Sequence, residues 1–85
     1  MKYGLYSVRD EKVGFLPPLT DQSEQSAIRA FAFAINNPEN IMNFSPKDFD
    51  LYKVGEFDSI KGVITPLDIP ELVYSGTSAV GNWYD

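Results

Sequence analysis

The sequence predicts a small α+β domain: an antiparallel sheet in the order strand, strand, helix, strand, strand, with the one helix packed on one face. Three observations carry that expectation. Apolar residues are spaced as in strands along Lys2–Val8 and again past a polar turn. An apolar stripe of helical period runs from Ala27 to Ile35, and strand-like spacing returns from Phe49. A chain of 85 residues buries a modest fraction of its surface, so it has room for one helix-on-sheet core and no second domain.

Taken in order, Tyr3, Leu5, Tyr6 and Val8 form a first strand, Arg9-Asp10-Glu11-Lys12 a turn, and Val13, Phe15 and Leu16 a second strand. Pro17-Pro18 should end that strand, because neither proline donates to a ladder. Asp21 with Glu24 three residues on has the spacing of a capping box, which starts the helix there. Ala27, Ile28, Phe31, Ala32 and Ile35 share one helical face, and Asn36-Asn37-Pro38 is the stop, with asparagine suited to a left-handed cap. Glu39–Lys47 reads as a loop pinned by Ile41, Met42 and Phe44. Phe49–Phe57 is a third strand, with a bulge expected at Gly55. After the turn Asp58–Gly62, Val63-Ile64-Thr65 makes a fourth strand, stopped by Pro66. The expected organisation is a domain over 1–67 and an extended or partly disordered tail over 68–85, since Pro66, Pro70 and Ser75-Gly76-Thr77-Ser78 do not suit a central strand.

Composition narrows the chemistry. Without cysteine there is no disulfide framework, thiolate nucleophile or cysteine zinc site. Without histidine the usual general base and the commonest neutral metal ligand are missing, and no glycine-rich phosphate loop occurs. No enzyme activity and no cofactor are expected. Asp48 with Asp50 and Glu56 with Asp58 could each share a cation, but Lys53 stands where a calcium loop needs glycine, so ordinary turn and edge charges are the better account. No segment reaches the ~20 apolar residues of a membrane span, and the first residues lack the apolar run of a signal peptide. A soluble, cytoplasmic-type protein is the expectation, and the Asn43-Phe44-Ser45 sequon then has no chemistry to undergo.

Seven basic against twelve acidic residues give a net charge of −5, which repels phosphate on average. A nucleic-acid site must therefore be local. Tyr3, Tyr6, Phe15 and Tyr52 lie on expected strands near Lys2, Arg9, Lys12 and Lys53, and aromatic rings interleaved with cations suit single strands, where stacking contributes roughly 1–3 kcal/mol per base. The alternative is that about half of these rings fill the core while the lysines blunt strand edges. Phe33 falls on the helix face opposite the apolar stripe, beside Ala30, and calls for cover from the chain itself or from a partner.

Several stretches, taken together, resemble a known family. They are Tyr6-Ser7-Val8-Arg9-Asp10, Leu16-Pro17-Pro18, Ala27-Ile28-Arg29-Ala30-Phe31, Asn36-Asn37-Pro38, Pro46-Lys47-Asp48-Phe49-Asp50-Leu51-Tyr52, Val54-Gly55-Glu56-Phe57-Asp58 and Gly62-Val63-Ile64-Thr65-Pro66. Their order and spacing resemble the small non-structural protein of gokushovirus-type single-stranded DNA phages of the Microviridae. The resemblance implies DNA binding, a role in the switch from duplex replication to single-strand synthesis and packaging, and a place in the host cytoplasm. The sequence departs from that pattern at Phe33 and in its tail beyond Ile69.

Two functional expectations result. In the first, the protein binds single-stranded DNA, with Arg9, Lys12, Arg29, Lys47 and Lys53 on phosphates and Tyr6 and Tyr52 on bases. In the second, it is a protein-interaction module, a homodimer or a binder of a replication protein, acting through Phe33, Ala30, Trp83 and Tyr84. Neither involves a membrane.

Overall fold

Long alternating strands with one amphipathic helix between them settle into a five-stranded antiparallel sheet covered on one side. The computed structural model describes residues 1–81. Strand β1 (Lys2–Asp10) is central. Along one edge it pairs with β4 (Phe49–Asp58), and along the other with β2 (Gly14–Phe15) at one end and β3 (Leu19–Asp21) at the other. Strand β5 (Val63–Ser75) adds to the outer edge of β4. The α+β class, the antiparallel pairing and the helix across one face are as the sequence predicts.

Several local expectations change. The second strand is only two residues long, and the chain re-pairs with β1 beyond the prolines, where Leu19 meets Tyr6 and Asp21 meets Gly4. That pairing holds Asp21 in the ladder, so the cap of α1 (Glu24–Asn36) is Ser23, whose hydroxyl accepts from the Ser26 amide at 3.1 Å. Asp21 instead accepts from the Gln22 amide. The helix stops at Asn36 as expected, without a left-handed cap: Asn37 is extended, as the residue before a proline should be.

The asparagines serve the helix end differently. The Asn36 side-chain amide donates to the carbonyls of Ala32 and Ala79, which ties the helix end to α3, and the Asn43 side-chain amide donates to the Ile35 carbonyl, one of the last four of α1 that have no partner inside the helix. The expected loop after Pro38 contains a short helix, α2 (Ile41–Phe44), capped by Asn40, and a 3-10 turn at Pro46–Asp48. Of its three apolar side chains Met42 is buried, whereas Ile41 and Phe44 are exposed.

The fourth strand does not end at Pro66. Since β5 is the last strand of the sheet, a proline there can turn its missing donor away from β4. Lys53 pairs with Glu71 and Gly55 with Pro66, so residues 67–70 stand opposite Val54 alone, and Pro70 lies in that irregularity. On the β1 side Leu5 pairs with Gly55 and Tyr6 with Lys53, again leaving Val54 unpaired. The bulge expected at Gly55 thus falls one residue earlier. After Ser75 the chain forms α3 (Gly76–Ala79).

The core lies between α1 and one face of the sheet: Tyr6, Phe49 and Leu51 from β1 and β4, and Ala27, Phe31, Ala32 and Ile35 from the helix, closed by Met42 and Ala79.

Candidate nucleic-acid interface

Residues paired in an antiparallel ladder project to the same side, and neighbours along a strand alternate. With Tyr6 and Leu51 under the helix, the register puts Tyr3, Leu5, Ser7 and Arg9 of β1 on the opposite side, with Phe57, Gly55, Tyr52 and Asp50 of β4 beside them. Phe15 joins them through its pairing with Arg9. Its ring meets that of Tyr52 edge-on, centroids 5.3 Å apart. Among the described residues no helix covers this face, and Phe15 is 46% exposed. Ser7, though on this side, is buried and donates from its hydroxyl to the Leu16 carbonyl at 2.6 Å, which ties the proline segment to β1.

At one end of the sheet the Glu11 amide donates to the Asp48 carbonyl, joining the β1–β2 turn to the 3-10 turn. Lys12, Lys47, Glu11, Asp48 and Ser45 line an open cleft of about 660 Å³ there. The Ser45 hydroxyl, 2.7 Å from the Asp48 carboxylate, holds that group below the usual aspartate range, with Glu11, Lys12 and Lys47 adding to the effect against slight desolvation. The two lysines therefore sit beside carboxylates.

The residues singled out from the sequence fall in several places. Tyr6 is 7% exposed and belongs to the core on the helix side, away from the other rings, so it is not part of the helix-free face. Tyr52 and Arg9 lie together on the helix-free face, and Lys12 and Lys47 at its end. Lys53 is on the helix side, its ammonium 3.6 Å from Glu56. Arg29 is exposed on α1, away from that face. Phe33 is 60% exposed and Ala30 is also at the surface, while Trp83 and Tyr84 lie outside the described residues. Sequence reasoning placed Phe15 and Tyr3 among the rings but not in the binding set. Tyr3 and Phe15 are separated from Tyr6 only by alternation and pairing, which need the register.

The carboxylate pairs weighed for a metal are otherwise engaged. Asp58 accepts from the backbone amides of Ile60 and Lys61, which lowers its pKa, and Asp50 accepts from the Gly76 amide. Among the described residues no three acidic side chains converge as a metal site requires, and no helix is long and apolar enough to cross a membrane.

A two-faced antiparallel sheet, covered by a helix on one side and aromatic on the other, defines a small α+β domain. The chain belongs to the Phage ORF5 protein family, whose profile matches residues 3–79. The match continues past Ile69 through β5 and α3, so the family pattern does not end where the sequence reading placed its departure. No curated protein matches the chain, and neither does any solved structure.

Proposed function

We propose that this phage protein is a non-enzymatic accessory of viral DNA replication that binds single-stranded DNA on the helix-free face of its sheet. The observation that carries the reading is the exposed Phe15 ring set edge-on to Tyr52, with Arg9 in register beside Phe15. Stacking on a ring does not depend on net charge, so an acidic protein can hold unpaired bases while binding duplex poorly. Arg9 supplies a cation within the face, and Lys12 and Lys47 extend it at one end. On this reading, which the resemblance to gokushovirus-type phages of the Microviridae supports, the protein acts in the host cytoplasm, at the switch from duplex replication to single-strand synthesis and packaging.

A second reading has an observation of its own. Arg9 and Asp50 are the only charged residues that the β1, β4 and β2 registers put on this face, and Ile64 and Leu72 of β5 add exposed apolar surface beside Phe57 and Tyr52. Such a surface also fits a replication protein or a second copy.

Anisotropy of a labelled oligothymidine at two salt concentrations separates them. The DNA reading expects roughly micromolar affinity that weakens with salt, a loss of about tenfold for Tyr52→Ala, and a flatter salt dependence for Arg9→Ala or Lys12→Ala. Lys53→Ala should change little, since its ammonium is paired with Glu56 on the other side. Absence of binding at low salt, together with a dimer in sedimentation that Phe15→Asp dissociates, would hand this face to the second reading.

A further inference from the structure

A groove opens on the other side of the molecule, along the edge of α1. Tyr6 and Phe31 form its floor, Leu16 and Leu19 one wall, and the short side chains of Ala30 and Ala34 the other. Its volume is about 280 Å³. Liquid water takes ~30 Å³ per molecule, so the groove has room for one or two large side chains, and its apolar lining offers water few partners. Leu19 at its lip remains 75% exposed, and Ala30 is at the surface. Among the described residues the groove is therefore open, not a void sealed in the core.

Its surroundings are acidic. Asp21 lines the groove, and Glu24 opens α1. Glu56 pairs with Gly4, and Glu71 with Lys53 opposite Tyr6, which puts both carboxylates on the Tyr6 side of the sheet. Lys53 stands among them, 3.6 Å from Glu56. All four carboxylates act on the Tyr6 phenol: burial first, then Glu24, Asp21, Glu56 and Glu71, push its pKa up. Their fields thus converge on the groove floor.

From this geometry we infer that the groove takes an apolar side chain from a basic peptide segment of another protein, whose flanking Lys or Arg residues rest against Asp21, Glu24 and Glu71. Charge complementarity selects that occupant. A second copy of this chain would bring twelve acidic residues against seven basic ones to an acidic lip, and like charges there oppose docking. The mode is an apolar anchor in a groove with polar specificity at the rim. It uses the face opposite the proposed DNA site, so each stands without the other.

The test is anisotropy of the full chain with two labelled amphipathic peptides, one built of Lys, Leu and Ala and the other of Glu, Leu and Ala. The lysine peptide should bind at least tenfold more tightly and weaken as salt rises. Ala30→Arg, at an exposed helix position, should reduce that affinity about tenfold, and so should Leu19→Ser. Glu24→Gln with Glu71→Gln should flatten the salt dependence, while Arg9→Ala should leave peptide binding as it is. Equal affinity for the two peptides overturns the inference, as does lysine-peptide binding that all the groove variants retain. A parent dimer that Ala30→Arg dissociates would assign the groove to a second copy and overturn it as well.

Discussion

On the helix-covered face Tyr6, Phe49 and Leu51 are 7%, 6% and 4% exposed, while across the same two strands Tyr3, Leu5, Tyr52 and Phe57 stay half-buried. The two sets are alike in size and apolar character. What separates them is the helix, whose Ala27, Phe31, Ala32 and Ile35 close over one set and leave the other to solvent or a partner. Apolar alternation on both faces of a strand thus marks two surfaces of equal composition, and only a covering element makes one of them the core.

Truncating an aromatic side chain on each side should separate the two faces most strongly. Phe31→Ala should cost about 3–5 kcal/mol, a large part of the stability of a domain this small, whereas Tyr52→Ala, on the uncovered side, should cost less than half of that. Chemical denaturation of the two variants measures both. Equal losses would mean that the helix-free face is as much a core as the other.

A smaller effect is expected where α3 docks against the end of the covered side. A Cβ on Gly76 would collide with the carbonyl oxygens of Pro46 and Phe49, backbone atoms that cannot rotate away. Gly76→Ala should therefore cost about 1–3 kcal/mol through forced displacement of α3, and should weaken hydrogen-exchange protection near Ala79 more than in β1. An unchanged melting temperature would show that α3 contributes little to holding the covered face shut.

The smallest effect lies in the turns at the two ends of the sheet and does not distinguish its faces. Asp48, through Ser45, and Asp58, through the amides of Lys61 and Ile60, have folded pKa values below the usual aspartate range. Their stabilisation is fully present above the unfolded value of ~3.9 and is lost as pH falls through the lower folded values. On their account the melting temperature should hold down to about pH 5 and decline below about pH 4. Asp58→Ala should shallow that acid decline while leaving the helix-side contacts intact. An acid profile identical to the parent's would remove Asp58 from the explanation.

How much of this could be read from residues alone differs by element. The 3.6-residue stripe of α1 is local, and it gave both the helix and its buried face, including Phe31 and Ile35. The candidate surface was half-legible: Arg9, Tyr52 and Lys12 were named from spacing, and Tyr6 was named with them. Tyr3 and Tyr6 are three residues apart on a strand, hence on opposite sides, and nothing local says which side the helix will take.

The α+β class, the single amphipathic helix, its stop before Pro38 and the hairpin-like start are legible from residues alone, because each rests on interactions within a few residues. Tertiary structure decided the rest. Asp21 lost its capping role to Ser23 because a ladder with Gly4 claims its backbone. Pro66 and Pro70 are tolerated inside β5 because that strand lies at the edge of the sheet, a position set by the pairing of β4 with β1. The unpaired Val54 changes the alternation along β4, which brings Phe57 to the same side as Tyr52 although they are five positions apart. Strand position, ladder register and helix cover are properties of chain segments far apart in sequence, and a residue's own neighbours carry no record of them.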